Sequence, residues 1–218
     1  QPGTYQDVTD TTVVAQFKSV ANPEKGHSVW DAFNISLPSE GPREAFFLAW
    51  TTTPWTLPSN TALTVGAKID YVLVRTYNQY TFQPIYVILA KNLVEKQFSG
   101  KYEKVENEEL VAAYTQGDKR IPYQIIAECK GKDLVEIRYE QLLKYAQPHD
   151  NPENAFRVIA GDFVTTEDGT GIVHMAPGFG EDDQVVCQEE GIEIVCPVDN
   201  AGKFTSEVPD FEGLQVFD

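Results

Sequence analysis

The sequence predicts a mainly β fold with a few short helices, an α+β chain whose sheet is barrel-like, and three observations carry that prediction. Eight runs rich in β-branched and aromatic residues follow one another closely, each bounded by Gly, Pro, Asn or Asp. No regular βαβ alternation links them, which favours a barrel or sandwich over a doubly wound parallel sheet. The 218 residues are 42% hydrophobic and 11% aromatic with only 23% charged, enough apolar material for a sizeable core within one domain spanning 1–218.

In chain order the strands are expected at TTVVAQFKSV (11–20), EAFFLAWTTT (44–53), DYVLVRTY (70–77), PIYVILA (84–90) and IPYQIIAECKG (121–131). They continue at AFRVIAGDFVTT (155–166), TGIVHMA (170–176) and IEIVCPV (192–198). Short helices are expected from Asn92 to Phe98, from Tyr139 to Tyr145, and from Asp182 to Glu190, where Gly191 supplies the stop. The acidic stretch from Tyr102 to Asp118 reads as a solvated surface excursion without function.

Composition also excludes classes. No run approaches the eighteen or so apolar residues that span a bilayer, and the start QPGTYQDVTD lacks the basic and apolar stretches of a signal peptide. A soluble, cytoplasmic protein without membrane partners is expected. Cys129, Cys187 and Cys196 show no CxxC spacing, which argues against a disulfide framework and against a metal site. With 17 Lys and Arg against 33 Asp and Glu, the net charge of −16 argues against a domain that grips a nucleic-acid backbone unaided, so any RNA contact should be local.

Two segments carry chemistry. The first is WTTTPWTLPSNTALT, Trp50 to Thr64, a threonine-rich strand stopped by Pro54 and followed by a second proline turn at Pro58. Alternation puts Leu48, Trp50 and Thr52 on one face and Ala49, Thr51 and Thr53 on the other, and beyond Pro54 the backbone leaves the ladder, freeing polar groups for a ligand. Threonine also suits strands on propensity alone.

The second is GTGIVHMAPGFGEDD, Gly169 to Asp183, which begins like a dinucleotide fingerprint but has His174 where the third glycine belongs. Glycines and a proline bracket a short strand ending near His174, and the following loop opens a helix at Glu181, Asp182 and Asp183. A carboxylate in a helix's first turn is expected to be held ionised and suited to a cationic amino group. Helix capping explains the same acids, and a structural role explains the same histidine. No GxSxG elbow supports a serine triad, and His27 and His149 lie outside any motif.

Together the two segments resemble the editing domain inserted into class Ia aminoacyl-tRNA synthetases, and TTTPWTLPSNTAL resembles the form found in isoleucyl-tRNA synthetases rather than the TTRP core of the sister enzymes. GTGIVHMAP resembles a stretch shared more widely among those enzymes. The resemblance is tight over about a quarter of the chain. It implies a β-barrel-like editing domain that hydrolyses the ester of mischarged Val-tRNA(Ile) and rejects Ile-tRNA(Ile) by size, with no cofactor. It implies that Trp50, Thr51, Thr52, Thr53 and Asn60 shape the pocket for the amino acid and the 3′-terminal adenosine, with Thr52 near the scissile ester. His174 is implied to exclude isoleucine and position the substrate, and Asp183 to grip the α-ammonium. Phe179 stands where the bacterial pattern usually has histidine, GFG in place of GHG, which points to a eukaryotic cytosolic type. The HIGH and KMSKS signatures are absent, so the implied partner is the rest of a parent synthetase, and the fragment, expected to be a monomer, should not aminoacylate. A non-catalytic tRNA-docking insert and a small-ligand-binding β domain stay open as alternatives.

Such chemistry suits these side chains. An aminoacyl ester is already activated, so a site needs an aimed water and oxyanion stabilisation more than a strong nucleophile. Which group takes the water's proton, a ribose hydroxyl, His174 or another water, is left open by the residues.

Overall fold

DYVLVRTY and PIYVILA are continuous apolar runs rather than alternating ones, a pattern that suits strands covered on both faces. The computed structural model, which describes residues 11–217, has this arrangement. The decapeptide QPGTYQDVTD, read above for a leader, lies outside the described residues.

The strands are β1 (Val13–Val20), β2 (Ala45–Thr51), β3 (Ala62–Val65), β4 (Asp70–Tyr77), β5 (Pro84–Ala90), β6 (Tyr102–Lys104), β7 (Ile121–Lys130), β8 (Arg138–Tyr139), β9 (Arg157–Ala160) and β10 (Ile172–Met175). The helices are α1 (Val29–Ala32), α2 (Val94–Gln97), α3 (Glu108–Ala112), α4 (Gly131–Leu134) and α5 (Glu181–Glu189). All ten strands join one sheet in the order β10-β3-β9-β8-β1-β2-β5-β4-β7-β6. Three of the pairings, β2 with β5, β3 with β9 and β6 with β7, are parallel; the rest are antiparallel.

The β10 end of the sheet curls back onto β2 and β5. Ala90 N–H donates to the Thr170 carbonyl at 2.8 Å and the Thr170 hydroxyl donates to the Leu48 carbonyl at 2.5 Å. That closure makes the sheet barrel-like, around a core that includes Phe17, Phe47, Leu63, Leu73, Ile88, Leu134 and Ile137. On the outer face of β4 and β5 a second cluster, with Val72, Val74, Val87, Leu89 and Phe98, is covered by α2. A third, with Ala62, Ile159, Met175, Cys187 and Ile192, seats α5 against β3, β9 and β10. Burial of these side chains stabilises the α5 seat by about 25 cal/mol per Å² of apolar surface covered, and it sets where the first turn of α5 points.

Six predicted strands and two predicted helices are present within a few residues of the expected bounds. The expected helix from Tyr139 to Tyr145 is absent. Arg138 and Tyr139 instead pair with Val20 and Ser19, and Tyr139 N–H donates to the Phe156 carbonyl at 3.0 Å, so sheet pairing overrides the local helical preference. AFRVIAGDFVTT yields only the four residues of β9, since its partner β3 ends at Val65 opposite Ala160; Gly161 follows at a close approach where any Cβ would meet Thr64 Cγ2 at 2.8 Å and Phe163 Cε1 at 2.6 Å. IEIVCPV forms no ladder beyond a single bridge from Val198 to Phe204; its first residue, Ile192, packs under α5 and donates its N–H to the Cys187 carbonyl at 2.8 Å.

The acidic excursion is more ordered than its charge suggests. It holds β6 and α3, the latter capped by Asn107 Oδ1 accepting from Leu110 N–H at 2.9 Å and tied down by buried Val111.

Candidate functional site

The strand alternation of the first motif ends where its chemistry begins. β2 stops at Thr51, whose hydroxyl accepts the Thr53 N–H at 3.1 Å, turning the chain out of the ladder. Pro54 then opens a 3₁₀ turn, Pro54–Ser59, and the side-chain period changes from two to three. That change carries Thr56 to the same side as Thr53, and the Thr56 hydroxyl donates to the Thr53 carbonyl at 2.9 Å.

The second motif comes alongside through the β3–β10 ladder, in which His174 lies opposite Leu63. β10 ends at Met175, and the loop from Ala176 leads into α5, whose N-cap Gly180 makes no side-chain cap. The Asp183 carboxylate turns away from its own helix and accepts the Ala176 N–H at 2.9 Å. Gly180 leaves room for that orientation, since a Cβ there would lie 3.0 Å from Asp183 Cγ.

Both motifs wall one cavity of about 180 Å³. The first contributes Trp50, Thr51, Thr53 and Thr56; the second contributes His174, Ala176, Phe179, Gly180 and Asp183. Roomier clefts lie elsewhere, one of about 680 Å³ beside Trp30, but it brings no part of either motif together. Trp55 backs the Phe179 wall, with ring centroids 4.9 Å apart and edge-on.

Of the residues singled out from sequence, Trp50, Thr51, Thr53, His174 and Asp183 line this cavity. Thr52 is exposed at the end of β2 and is not part of the wall. Asn60 is buried behind His174, touching the cavity only through it. Sequence reading gave no role to Thr56, Gly180 or Ala176; for Thr56 the signal available was its three-residue spacing from Thr53 across Pro54.

The electrostatics of the two motifs differ. His174 is buried, and desolvation lowers its pKa from 6.5 to about 4, so the ring is neutral at physiological pH. Both ring nitrogens are engaged, Nδ1 with Asn60 Nδ2 at 2.8 Å and Nε2 with the Thr56 hydroxyl at 2.9 Å. Asp183 departs from the expectation of a helix-stabilised anion. Partial burial pushes its carboxyl up from the ordinary range, the Ala176 hydrogen bond offsets part of that, and the Asp182 carboxylate adds to the rise. No cation is among the charges acting on the carboxylate.

Among the described residues no group of three or more His, Cys, Asp or Glu has an arrangement that could hold a metal ion. Among them, too, no helix is long and apolar enough to cross a membrane.

No family model matches the sequence. Individual proteins do. Isoleucine–tRNA ligase of Cytophaga hutchinsonii is 53% identical over 226 residues, covering 99% of this chain and 18% of that protein. The enzyme of the same name from Bacteroides fragilis is 52% identical over 203 residues, 93% of this chain and 16% of that protein. The chain matches a segment of isoleucine–tRNA ligase. It spans less than a fifth of the length of these relatives.

Among solved structures, the P. knowlesi cytosolic leucyl-tRNA synthetase editing domain superposes with a TM-score of 0.55 at 14% identity, over 82% of this chain and 62% of that one. GlLeuRS-CP1 superposes with a TM-score of 0.53 at 16% identity, over 82% of this chain and 60% of that one. At such identities the likeness concerns the fold, which is that of a synthetase editing domain. The isoleucine–tRNA ligases just named are bacterial, and the eukaryotic cytosolic type read from Phe179 finds no support in them.

Proposed function

We propose that this domain performs post-transfer editing, hydrolysing the ester of Val-tRNA(Ile) and sparing Ile-tRNA(Ile). The observation that carries this reading is a half-buried carboxylate without a cationic partner, Asp183, facing a wall of hydroxyls and a neutral imidazole across one small cavity. The α-ammonium of an aminoacyl ester is a cation that suits this carboxylate. A hydrogen bond between charged groups at such a site contributes about 1.5–3 kcal/mol and fixes the carbonyl relative to Thr51 and Thr53.

Size selection follows from the opposite wall. His174 is held by hydrogen bonds at both ring nitrogens and by its ladder position, so it cannot swing aside cheaply to admit a larger side chain. One extra methylene pressed against such a wall costs about 1–3 kcal/mol, a discrimination of roughly 10 to 200-fold. Because the cavity only hydrolyses what enters, that rejection protects the correct product.

The chemical step is water attack on the ester carbonyl, without a covalent intermediate. His174 does not supply the base in the state described, since both its nitrogens are occupied and its pKa is lowered to about 4. Hydroxyls and backbone amides at the strand end serve the developing oxyanion. Thr52, exposed beside the wall, meets the ester once the terminal adenosine covers the rim. Asn60 acts through His174. The 3′-terminal aminoacyl-adenosine is the ligand, the rest of a parent synthetase supplies most tRNA contacts, and the reaction belongs to the cytoplasm.

The test is direct: the purified 218-residue chain is mixed with Val-tRNA(Ile) or Ile-tRNA(Ile), and amino acid release is followed. Release of valine with isoleucine retained is expected. Absence of release from both, for a folded protein that binds a valyl-adenosine analogue, would leave a docking or ligand-binding domain instead.

A further inference from the structure

Behind the cavity lies a run of buried polar groups that belongs to neither sequence motif alone. Tyr139 on β8, 79 positions from Asn60 in sequence, places its hydroxyl 2.6 Å from Asn60 Oδ1. The ring is almost wholly buried, with Phe17 and Phe156 edge-on to it at 5.3 and 6.1 Å. Asn60 is 2% exposed and His174 8% exposed. Buried polar groups survive in such places when every one has a partner, and their partners here fix a direction.

The direction can be read from one carbonyl. Asn60 Nδ2 lies 3.0 Å from the Ala62 carbonyl, which can only accept, and Asn60 Oδ1 accepts from the Tyr139 hydroxyl at 2.6 Å, so the two contacts hold the amide in one orientation from opposite ends. The second hydrogen of the same nitrogen then points at His174 Nδ1, 2.8 Å away, which must be a bare acceptor. A neutral imidazole with a bare Nδ1 carries its proton on Nε2, and that proton goes to the Thr56 hydroxyl at 2.9 Å. Thr56 in turn donates to the Thr53 carbonyl at 2.9 Å. Reversing the run would set the Asn60 oxygen against the Ala62 carbonyl and make the Tyr139 oxygen an acceptor.

We propose that Tyr139 is a positioning residue of this site: its hydroxyl, donating to Asn60 Oδ1 while the Ala62 carbonyl holds Asn60 Nδ2, locks the amide so that His174 stays the Nε2–H tautomer and the Thr56 hydroxyl hydrogen is aimed away from the cavity. The cavity side of Thr56 then presents a lone pair rather than a proton, and His174 presents carbon and a committed N–H rather than a base. Burial also keeps the phenol protonated, since it pushes the Tyr139 acidity well away from the working range, so the donor at the head of the run is permanent. The catalytic consequence rests on the editing reading above; the tautomer does not.

The experiment uses the 218-residue chain labelled with 15N-histidine, the His174 signals being those missing from His174→Gln. In the wild type at neutral pH, a protonated Nε2 and a bare Nδ1 are expected. Tyr139→Phe removes one oxygen and retains the ring packing; it should give averaged signals from mixed tautomers and lower kcat on Val-tRNA about tenfold, as a lost buried hydrogen bond of about 1.4 kcal/mol implies, with KM within about twofold. The double variant Tyr139→Phe, Asn60→Ala should be no slower than Asn60→Ala alone, because the two act as one unit.

A wild type protonated on Nδ1, or a folded Tyr139→Phe protein that keeps a pure Nε2–H signature, overturns the proposal. If wild-type protein shows the expected tautomer but hydrolyses nothing, the editing reading falls and the tautomer comparison still decides this one. Should Tyr139→Phe fail to fold, the wild type decides: a slowly exchanging Tyr139 hydroxyl proton with a cross-peak to Asn60 supports the run, and its absence overturns it.

Discussion

The two motifs meet in one cavity but are built in opposite ways. The His174 wall is buried, neutral, set in a β ladder and hydrogen-bonded at both ring nitrogens. The Asp183 wall sits at the start of a nine-residue helix, half exposed, charged and held by a single backbone hydrogen bond. On the proposed reading, the difference teaches that shape and charge recognition are separated. A wall that measures size must not move, and so is satisfied from within; a wall that binds a cation must keep unfilled hydrogen-bonding capacity, and so is left under-satisfied and pushed up in pKa.

The largest effect expected is at the charged wall. Asp183→Ala should lower hydrolysis of Val-tRNA by at least about 100-fold, the loss of a charge-assisted contact together with the positioning it provides. Its cooperative thermal unfolding should be retained. Asp182→Ala, whose carboxylate only raises the Asp183 pKa, should be far milder. Because the Asp183 pKa is raised in the folded state, ionisation at neutral pH works against folding, so Asp183→Asn should melt no lower than wild type. Normal clearance by folded Asp183→Ala would dissolve the comparison, leaving that wall a helix cap.

The next effect is on selectivity. His174→Ala should begin to release isoleucine from Ile-tRNA, while losing about 1–3 kcal/mol of stability because Asn60 and Thr56 are left without their buried partner. Unchanged rejection of isoleucine would return the ring to a purely structural role.

Acid titration separates the walls again. His174 has a folded pKa of about 4 against 6.5 unfolded, so its neutral form contributes fully above pH 6.5. That contribution is lost as pH falls toward 4, by up to about 3 kcal/mol at 1.36 kcal/mol per pKa unit. Asp183, with its raised pKa, acts with the opposite sign as it protonates. Denaturant titrations of wild type and His174→Gln over that range should differ in slope in that sense; parallel curves would mean that His174 is not buried neutral.

Much of this was legible in the sequence, and the reasons for the remainder are physical. β4 and β5 were readable because double-sided burial leaves long apolar runs. Trp50, Thr51, Thr53, His174 and Asp183 were legible as members of two short motifs that resemble those of synthetase editing domains, and they line one cavity. Tyr139 was not, since it reaches Asn60 across 79 positions and its neighbours read as helical. Thr52 was implied by the family resemblance, and the turn from Thr51 to Thr53 leaves it exposed beside the wall. The sign of the Asp183 shift was missed because helix-end reasoning ignores desolvation by burial, which outweighs the Ala176 hydrogen bond.

The smallest effect concerns how the charged wall is tuned. Gly180→Ala puts a methyl 3.0 Å from Asp183 Cγ, which should turn the carboxylate slightly and raise KM for Val-tRNA a few-fold, worth less than about 1.4 kcal/mol, with selectivity against isoleucine unchanged. A change in selectivity instead of KM would show that the walls are coupled.

The central claim, one cavity with a wall for shape and a wall for charge, is tested most directly by titrating the 15N-labelled chain with valine joined to the adenosine ribose through a nonhydrolysable link, and with the same compound carrying a hydroxyl in place of the α-amino group. The amine should bind and shift signals from both Thr51–Asn60 and His174–Asp183 in one titration, and the hydroxyl compound should bind at least about tenfold more weakly, as loss of a charge-assisted hydrogen bond requires. Equal affinity for the two compounds, or a response from only one motif, would contradict it.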